Sequence, residues 1–400
     1  MYSRWLLAEK LAAASDEEDD DEEKLCQRRQ DQESERETFN TGTGHRVPKA
    51  AADKGQLSVM FTSDNVRELQ PRTWQRKPLG AGTYGMVYQA TWRGRKVAVK
   101  VLKLPERGLV QTSNTEQALK HKVQEVIHNF VAEVEVCCDL NHPNLARLLG
   151  YAEQPKLMLV QELLQSSVDK ALYTDMWRPT LEQLLKSALD VARGMDYLHT
   201  AFQVHGGNCT QPIIHRDLKT PNLLFATNPL AGDPVLIKIT DFGLSRDKGM
   251  AATINQTIAM TGCGSVLWMA PEILLNRRYN EKIDLYSYAM CLVELVDRQL
   301  PWTGVAPPAA VPNCVVTKER PLKQLRELTR GSTVQRALKE LICRCWDPDP
   351  DLRPAFSEVK VELKRLRALH RQGDHVQGTE QLVKSRPASP SMPVLLEGAE

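Results

Sequence analysis

The sequence predicts an α+β protein with two lobes, a small β-rich lobe followed by a larger, mainly helical one. Two stretches support this prediction. Between Thr73 and Leu104, short β-branched segments are separated by glycines, which is typical of twisted antiparallel strands. From Thr180 onward, apolar residues recur at helical spacing, so the helix they form must turn one face to a core. The length of 400 residues fits one large two-lobed domain with extensions.

The composition is that of an ordinary globular protein. Hydrophobic residues make up 42% of the chain and charged residues 26%, and the formal net charge is only +2. Such a small charge argues against a nucleic-acid partner, and no apolar run is long enough to span a bilayer. Nine cysteines without CxxC spacing indicate reduced thiols inside a cell. We therefore expect a cytoplasmic protein, with its oligomeric state left open.

Both ends of the chain have the character of extensions. Residues 16–23 are all Asp or Glu, and the polar stretch around them has too few apolar side chains to fold, so we expect 1–72 to be mostly disordered. An acidic run is usually a solvated tail, and the alternative is a docking or autoinhibitory arm for a basic surface. The Ser- and Pro-containing end, 369–400, is predicted to be a flexible tail.

A glycine motif lies near the start of the first lobe. Residues 80–87 follow the pattern GxGxxGxV, in which missing side chains let backbone N–H groups close over phosphates. A dinucleotide-binding loop has similar spacing but opens a helix, whereas Met86–Trp92 continues as a strand, which favours a hairpin. Taken by itself, Lys100 would be interpreted as an exposed lysine at the end of a strand. Its position fifteen residues after Gly85 favours a lysine that faces phosphate.

Two later motifs contain groups suited to phosphate and metal chemistry. Residues 215–222 have the sequence HRDLKTPN, and Asp241 begins a DFG sequence nineteen residues after Asn222. Phosphoryl transfer needs an acceptor for a hydroxyl proton, oxygen ligands for a divalent cation and positive charge near the transferred group. The motifs offer Asp217, Asn222, Asp241 and Lys219 for these tasks.

The order of these motifs resembles that of the protein kinases. Two features resemble the sequences of serine/threonine kinases: Lys219, two residues after Asp217, and Ser265. The Trp92–Gly94 sequence and the CW…DP…RP ending that contains Arg353 look like tyrosine kinases. A chain with both features resembles the tyrosine-kinase-like group of serine/threonine kinases, which includes the Raf and mixed-lineage kinases.

This resemblance implies a bilobal kinase domain over 73–368. Its N-lobe, 73–162, would hold one key helix, and a hinge at 162–166 would lead into the C-lobe, 167–368. The implied activity is transfer of the ATP γ-phosphate, with Mg²⁺, to Ser and Thr hydroxyls of protein substrates in intracellular signalling. An upstream kinase could phosphorylate the activation loop, and Arg216 would pair with the phosphate. The candidate phosphorylation sites are Thr253, Thr257 and Thr261, and Ser245 is a less favoured candidate.

The resemblance also assigns roles to residues of this chain. Asp217 would accept the substrate proton, Lys219 would face the γ-phosphate, Asn222 and Asp241 would hold Mg²⁺, and Lys100 would hold the α- and β-phosphates. Other ATP-binding positions lie in the glycine loop, on adjoining strands and at the hinge. They are Gly80, Ala81, Gly82, Thr83, Tyr84, Gly85, Val87, Ala98, Gln161 as the gatekeeper, Glu162, Leu164 and Leu224.

Lys100 needs a glutamate on the key helix to hold it in place. Glu133 and Glu135 are both candidates, and the spacing to the His-Pro-Asn turn at 142–144 favours Glu133. An insertion after Pro105 makes the interval from Lys100 longer than is usual in kinases. A second insertion, 205–210, precedes the HRDLKTPN sequence at 215–222, which the resemblance makes the catalytic loop, and leaves its residues intact.

Further positions are expected to be structural. Glu272 would form a buried ion pair with Arg353, and Asp284 would hold the catalytic loop from a buried helix. His215 is expected in the core. Because the catalytic set is complete, the leading hypothesis is an active kinase. A tyrosine or dual-specificity kinase, and a pseudokinase scaffold that binds without transferring phosphate, remain alternatives.

Overall fold

The protein is represented by a computed structural model that describes residues 59–60, 69, 78–82, 85–104, 140–152, 156–200, 212–241 and 265–384, together with most positions between 123 and 138. Contacts divide the chain into two compact units. Unit 1 comprises Met1–Gln165, Ile213–Arg216 and Ile239–Met250. Unit 2 comprises Ser166–Pro212, Asp217–Lys238 and Ala251–Glu400.

Unit 1 contains a six-stranded sheet. Its strands are β1 Val59–Met60, β2 Gly80–Gly82, β3 Gly85–Trp92, β4 Arg95–Leu102, β5 Leu148–Ala152 and β6 Met158–Glu162. They lie in the order β1-β5-β6-β4-β3-β2. All pairs are antiparallel except β1 with β5, which is parallel. The antiparallel strands predicted for the first lobe are therefore present.

The tight turn between β3 and β4 sets the register of the central hairpin. Trp92 pairs with Arg95, and the two residues between them, Arg93 and Gly94, have φ of 47° and 75°. Two positive φ values suit a two-residue hairpin loop, because its twist matches that of the strands. The resulting alternation buries Val97 and Val99 in the core and turns Lys100 to the other face of β4.

A helix of unit 1 packs against this sheet. All described positions between 123 and 138 are helical, and we call this helix α1. Its buried face includes Phe130, Val134 and Cys137. The Phe130 ring lies 6.4 Å from that of Tyr151 on β5 in an edge-on arrangement, which packs α1 against the sheet. Glu133 lies on the same buried face, and only 2% of its surface is exposed.

Unit 2 is mainly helical. Its helices are α2 Val168–Tyr173, α3 Leu181–Thr200, α4 Pro271–Leu274, α5 Lys282–Asp297, α6 Val311–Val316, α7 Arg326–Arg330, α8 Thr333–Cys345 and α9 Phe356–Lys384. Three short strands, β7 Ser166–Ser167, β8 Leu223–Phe225 and β9 Ile237–Ile239, form a second sheet in that order. The α+β fold class predicted from the sequence, with β structure first and helices after it, is confirmed.

The central helix of unit 2 is α5. Every residue from Ile283 to Val296 is buried, so α5 has no solvent face over most of its length. Tyr288 donates a hydrogen bond of 3.0 Å to the carbonyl of Ala188 on α3, and its ring packs edge-on against Phe356 of α9. Side chains on α5 that carry charge must therefore find partners inside the protein.

The longest helix, α9, is polar and runs along α3. It ends at Lys384, beyond residue 368, where the sequence analysis ends the kinase domain, so that boundary stays a prediction. The central helix of unit 2, α5, has 16 residues. Within the described ranges, no helix combines the length and the apolar composition that crossing a bilayer would need.

The predicted ion pair between Glu272 and Arg353 is present and buried. The guanidinium donates to both carboxylate oxygens, at 2.7 and 3.0 Å, and also to the carbonyls of Asp347 and Lys282. Only 1% of Arg353 is exposed. Because its donors are occupied by four oxygens, the charge is well compensated, and the pair ties α4 to the segment that precedes α9.

Replacing Glu272 by Ala should leave the Arg353 charge buried without a carboxylate. We expect the free energy of unfolding to fall by about 3–5 kcal/mol, measured by chemical denaturation. The control is Glu362→Ala, which removes an exposed ion pair of 2.7 Å with Arg365 and should leave the unfolding free energy unchanged within error. Equal losses in both variants would mean that burial of the Glu272 pair does not matter.

Candidate active site

Three charged side chains of unit 1 form a group that we call the Lys100 cluster, namely Lys100, Glu133 and Asp241. The Lys100 ammonium on β4 donates to the two oxygens of Glu133 on α1, at 2.9 and 3.1 Å. It also donates to Oδ1 of Asp241, at 2.8 Å. The side chains of Lys100 and Glu133 are 13% and 2% exposed, but that of Asp241 is 37% exposed. Asp241 is thus the member most open to solvent.

The Lys100 ammonium is held in its charged form. Burial works against the charge, but the carboxylates of Asp241 and Glu133 outweigh it and raise the pKa of Lys100 above its ordinary value. For Glu133, burial raises the pKa, and the charge of Lys100 offsets part of that rise. The cluster therefore presents a fixed cation beside an accessible carboxylate, which are groups that bind phosphate and divalent metal.

Of the two candidate glutamates, Glu133 is the one that the structure describes, and it contacts Lys100. Glu133 contacts Lys100 across a sequence separation of 33 residues. Glu135 lies outside the described residues. The insertion after Pro105 therefore lengthens the connection without displacing Glu133, because α1 is held against the sheet by its buried face.

The backbone before Asp241 is fixed on both sides. The amide of Ala146 donates to the Ile239 carbonyl at 2.8 Å, and the Ile239 amide donates to the Asn144 carbonyl at 2.9 Å. His215, which is fully buried as expected, places Nε2 3.2 Å from the carbonyl of Thr240. Asp241 itself has a left-handed φ of 68°, a conformation that Asp tolerates better than most residues. These contacts aim its carboxylate at Lys100.

The glycine motif forms the first hairpin of the sheet. Gly80 pairs with Val87, and Gly82 pairs with Gly85, so the motif is strand-turn-strand and not the start of a helix. A Cβ on Gly85 would lie 2.2 Å from the carbonyl oxygen of Val101, which excludes any larger residue without a backbone shift. The interpretation as a hairpin agrees with the structure, although Thr83 and Tyr84 at its tip lie outside the described residues.

Several predicted nucleotide-binding residues lie on the strands next to Lys100. Val87 on β3 pairs directly with Lys100, and Ala98 on β4 pairs with Gln161 on β6. Gln161 is 9% exposed, so it is a largely buried gatekeeper candidate. The Glu162 carboxylate accepts a hydrogen bond of 2.8 Å from the amide of Arg147, which gives Glu162 a structural role at the end of β6.

The last two predicted nucleotide-binding positions are half-buried leucines. Leu164 follows β6 in unit 1, and Leu224 lies on β8 of unit 2, where it pairs with Ser167 of β7. The division between the units falls after Gln165, within the segment predicted as a hinge. The roles of these leucines in binding stay predictions.

Four polar side chains of unit 2 form a second group, which we call the Asp217 cluster: Asp217, Lys219, Asn222 and Ser265. The Lys219 ammonium lies 2.7 Å from Oδ2 of Asp217 and donates to Oγ of Ser265 at 2.9 Å. Lys219 and Asp217 are 19% and 14% exposed at their side chains. One cation therefore bridges the predicted proton acceptor and a serine hydroxyl 46 residues further along the chain.

Asn222 closes the catalytic loop on itself. Residues Thr220–Asn222 form a 3₁₀ turn, in which the Asn222 amide N–H donates to the Lys219 carbonyl at 2.9 Å. Its side-chain nitrogen donates to the Asp217 carbonyl at 2.8 Å and approaches Oδ2 of Asp217 at 3.3 Å. With the nitrogen turned to Asp217, the side-chain oxygen is the atom suited to ligate a hard cation.

The structure also contains a buried carboxylate to which the sequence analysis assigned no role. Glu294 lies within the apolar run of α5, is 0% exposed and accepts hydrogen bonds from Thr220 and Trp268, at 2.6 and 3.1 Å, and from the Tyr173 hydroxyl. A charged residue inside a fully buried helix was the available sequence signal. Burial raises the pKa of Glu294 to about 7, while the three donors act in the opposite direction.

A second buried acid of α5 is Asp284, which the sequence analysis expected there. It is 0% exposed, and its Oδ2 lies 2.9 Å from Nε2 of His199 on α3. This contact joins α5 to α3 in the core of unit 2. Phe356 packs edge-on against the His199 ring at 5.2 Å, so the contact is shielded from water.

The predicted activation loop is not part of the described structure. The residues concerned are Phe242, Gly243, Ser245, Thr253, Thr257 and Thr261. Arg216, their predicted partner, is described and is 8% exposed, with a left-handed φ of 69°. Its position directly before Asp217 is compatible with the prediction and does not test it.

The pKa of Glu294 generates a prediction about stability. Because the folded-state pKa is raised from 4.5 to about 7, its contribution to stability is complete below pH 4.5 and is lost as the pH rises through 7. Relative to Glu294→Gln, which cannot titrate, the unfolding free energy of the wild type should fall by on the order of 3 kcal/mol between about pH 5 and about pH 8. Denaturation curves at a series of pH values measure this difference, and a constant difference would contradict it.

Comparison with known proteins identifies relatives of the chain. The probable serine/threonine-protein kinase SIS8 of Arabidopsis thaliana is 36% identical over 72% of this chain and 24% of its own length. The dual specificity protein kinase shkE of Dictyostelium discoideum is 34% identical over 72% of this chain and 36% of its own. The serine/threonine-protein kinase CTR1 of Arabidopsis thaliana is 35% identical over 73% of this chain and 31% of its own.

The chain therefore corresponds to between a quarter and about a third of the length of these relatives. A family model described as protein tyrosine and serine/threonine kinase matches residues 74–363. A model that covers both kinds of kinase agrees with the mixed features of the sequence, and the resemblance drawn from the motifs is confirmed. Since the match covers most of the chain, the chain belongs to the protein tyrosine and serine/threonine kinase family.

Proposed function

We propose that this protein is an ATP- and Mg²⁺-dependent protein serine/threonine kinase. The observation that carries the proposal is the position of Lys219, whose ammonium lies 2.7 Å from Asp217 and 2.9 Å from the hydroxyl of Ser265. A cation next to a proton acceptor can neutralise charge that develops on the transferred phosphoryl group while the carboxylate receives the hydroxyl proton. Lys219 and Ser265 are the two residues that favour a Ser or Thr acceptor, and they contact each other.

The Lys100 cluster fits the phosphates of ATP and a divalent cation. Lys100 is charged and fixed by Glu133, so it can hold phosphate oxygens without a large loss of side-chain entropy. Asp241, at 37% exposed, and the side-chain oxygen of Asn222 are hard ligands suited to Mg²⁺. When bound, Mg²⁺ would neutralise charge on the phosphates.

Asp217 is the proposed proton acceptor, and it acts mainly by orientation. An ordinary aspartate is a weak base in water, so the proton would pass to it late, after the hydroxyl has been aligned. Its carbonyl is held by Asn222 and its carboxylate by Lys219. These contacts hold Asp217 in one orientation, which is what alignment of a substrate hydroxyl requires.

The names of the relatives support a serine/threonine kinase and also motivate a second candidate. SIS8 and CTR1 are named serine/threonine-protein kinases, whereas shkE is named a dual specificity protein kinase. Dual specificity is therefore the second candidate, and a scaffold without phosphoryl transfer is the third. The proposal also includes protein substrates with Ser or Thr acceptors, an upstream kinase and a cytoplasmic location. These are proposals because the aligned region is only a fraction of each relative's length.

Asp217→Asn should abolish most phosphoryl transfer, because the amide cannot accept the hydroxyl proton. We expect kcat to fall at least about a hundredfold, measured with radiolabelled ATP and a degenerate peptide library that contains Ser, Thr and Tyr acceptors. The matched control is Asp351→Asn, at an exposed position on a turn of unit 2, which should retain wild-type activity. Equal transfer by wild type and Asp217→Asn would refute the assignment of the base.

Phosphoamino-acid analysis of the same products separates the candidates. Phosphoserine and phosphothreonine without phosphotyrosine support the proposal, and all three support dual specificity. Thermal stabilisation by Mg-ATP in a wild-type protein that transfers no phosphate would support the scaffold instead.

A phosphate on the activation loop is proposed to activate the enzyme through Arg216. We expect active protein to carry phosphate on Thr253, Thr257 or Thr261, detected by mass spectrometry, and phosphatase treatment to lower kcat. Fully active protein in which all three threonines and Ser245 are unmodified would contradict this mode of regulation.

A further inference from the structure

We propose that the acidic run at residues 16–23 binds, within the same molecule, to a basic turn between β3 and β4. The basic turn is defined here as Arg93, Arg95 and Lys96, three cations at the tip of this hairpin. The contact joins two charged segments that the kinase motifs leave without a role. It goes beyond the proposed function, because it does not depend on phosphoryl transfer.

The run and the region around the turn carry opposite charge. All eight residues at 16–23 are Asp or Glu. No Asp or Glu occurs from Leu69 to Pro105, whereas eight Lys or Arg do, and the three residues of the basic turn are among them. Over the whole chain 50 acidic residues face 52 basic ones, so only 42 acidic residues remain outside the run. The rest of the chain is therefore clearly basic, and the run offsets most of that excess.

The cations of the basic turn are accessible and lack a counter-charge. Arg93, Arg95 and Lys96 are all exposed. Among the residues that the structure describes, none forms an ion pair or a side-chain hydrogen bond with any of the three. The Arg93 guanidinium lies 4.9 Å from the centre of the Trp92 ring, a cation–π contact that orients one of these charges. The turn thus presents three neighbouring positive charges to a partner.

The N-terminal extension is attached to the sheet that carries the basic turn. Its strand β1 pairs with β5 at one edge of that sheet. Leu69 is 0% exposed and lies in a buried cluster with Val97 and Val99 of β4. Trp92 packs against the same cluster, and Arg93 stacks on Trp92. The extension therefore reaches the face of the sheet on which Trp92 packs.

The connection between the run and the sheet is long enough for the contact. Residues 24–58, 35 in number, separate the run from β1. Across the sheet, the strand register places Val59 in one row with Gly150, Val160 and Val99. Three strand spacings across this row and four residues along β4 to Arg95 put the turn on the order of 20 Å from Val59. The end-to-end distance of a random coil with that number of residues is about 33 Å, so the run can reach the turn.

The tether makes a weak contact sufficient. A single exposed ion pair contributes only about 0–1 kcal/mol, but here three cations meet eight carboxylates. A partner on a short tether also acts at an effective concentration in the millimolar range, so a contact with a Kd of about 0.1 mM is mostly closed. Because salt screens exposed charges, the contact weakens as the ionic strength rises. While the contact is closed, other acidic molecules are kept off the turn.

The first test uses a neutral chain, which is the full chain with every Asp of 16–23 replaced by Asn and every Glu by Gln. A fluorescent peptide with the sequence of residues 14–24 reports binding by its anisotropy at about 0.1 M NaCl. We expect the neutral chain to bind the peptide roughly tenfold more tightly than the wild type, because in the wild type the run already occupies the turn. At about 1 M NaCl this binding should disappear.

A matched pair of triple variants tests the location. In the neutral chain, replacing all three residues of the basic turn by Gln should weaken peptide binding at least about tenfold. The control replaces Lys323, Arg326 and Arg330 by Gln, also in the neutral chain. These three cations of unit 2 are exposed and form no ion pair among the described residues, so the control loses the same charge. It should bind the peptide like the neutral chain.

Cross-linking locates the contact in the wild type. A carbodiimide joins a lysine amine to a carboxylate with which it is in contact. We expect mass spectrometry to find Lys96 linked to a residue of 16–23. Lys103, an exposed lysine just beyond the other end of β4, is the internal control and should not be linked to the run.

Three results would overturn the proposal: equal peptide affinity of the wild type and the neutral chain, equal losses in the two triple variants, or no link between Lys96 and the run. Binding of polyuridylate but not of the peptide by the neutral chain would assign the turn to a polyanion of another molecule, and would overturn it as well. None of these measurements uses ATP, so a failure of the proposed function is seen separately.

Discussion

A buried charge must have a partner inside the protein, and this constraint organises both units. Glu133, Glu272, Asp284 and Glu294 are each at most 6% exposed. Every one of them is met by a donor from a distant part of the chain, because an uncompensated carboxylate in the interior would cost several kcal/mol. For these four acids, the partner does not come from the helix that carries the acid. The buried acids therefore determine which segments come together, beyond what apolar packing alone would specify.

In unit 2 the constraint is concentrated on α5. This helix is buried on all sides and still carries Asp284 near its start and Glu294 near its end. Asp284 meets α3 through His199, and Glu294 meets α2 and two turns, one of them the catalytic-loop turn. The Thr220–Asn222 turn is thus attached to a helix that is buried over most of its length. Residues held in this way are suited to chemistry that depends on orientation.

The fold class could be predicted from the sequence, and so could the members of the Lys100 and Asp217 clusters as candidates, because their signals are local; their roles stay predictions. The strand that follows the glycine motif indicated the hairpin at 80–87, and the spacing to the His-Pro-Asn turn at 142–144 favoured Glu133 over Glu135, which lies outside the described residues. The parallel pairing of Val59–Met60 with β5 was not predicted, since two residues far from their partner carry no recognisable pattern. The hydrogen bonds of Glu294 were not predicted, because its three partners are 121, 74 and 26 residues away.

The sequence by itself determined the order of the motifs and the family to which the chain belongs, and it predicts which residues serve proton transfer, phosphate binding and metal binding. These properties depend on residue type and spacing along the chain. Only the tertiary structure decided that Lys100 contacts both Glu133 and Asp241, that Lys219 joins Asp217 to Ser265, and that Glu294 accepts hydrogen bonds from two turns and from Tyr173. Those contacts join residues far apart in sequence, and they form because packing brings charged and polar groups out of water, where each must find a partner within about 3 Å.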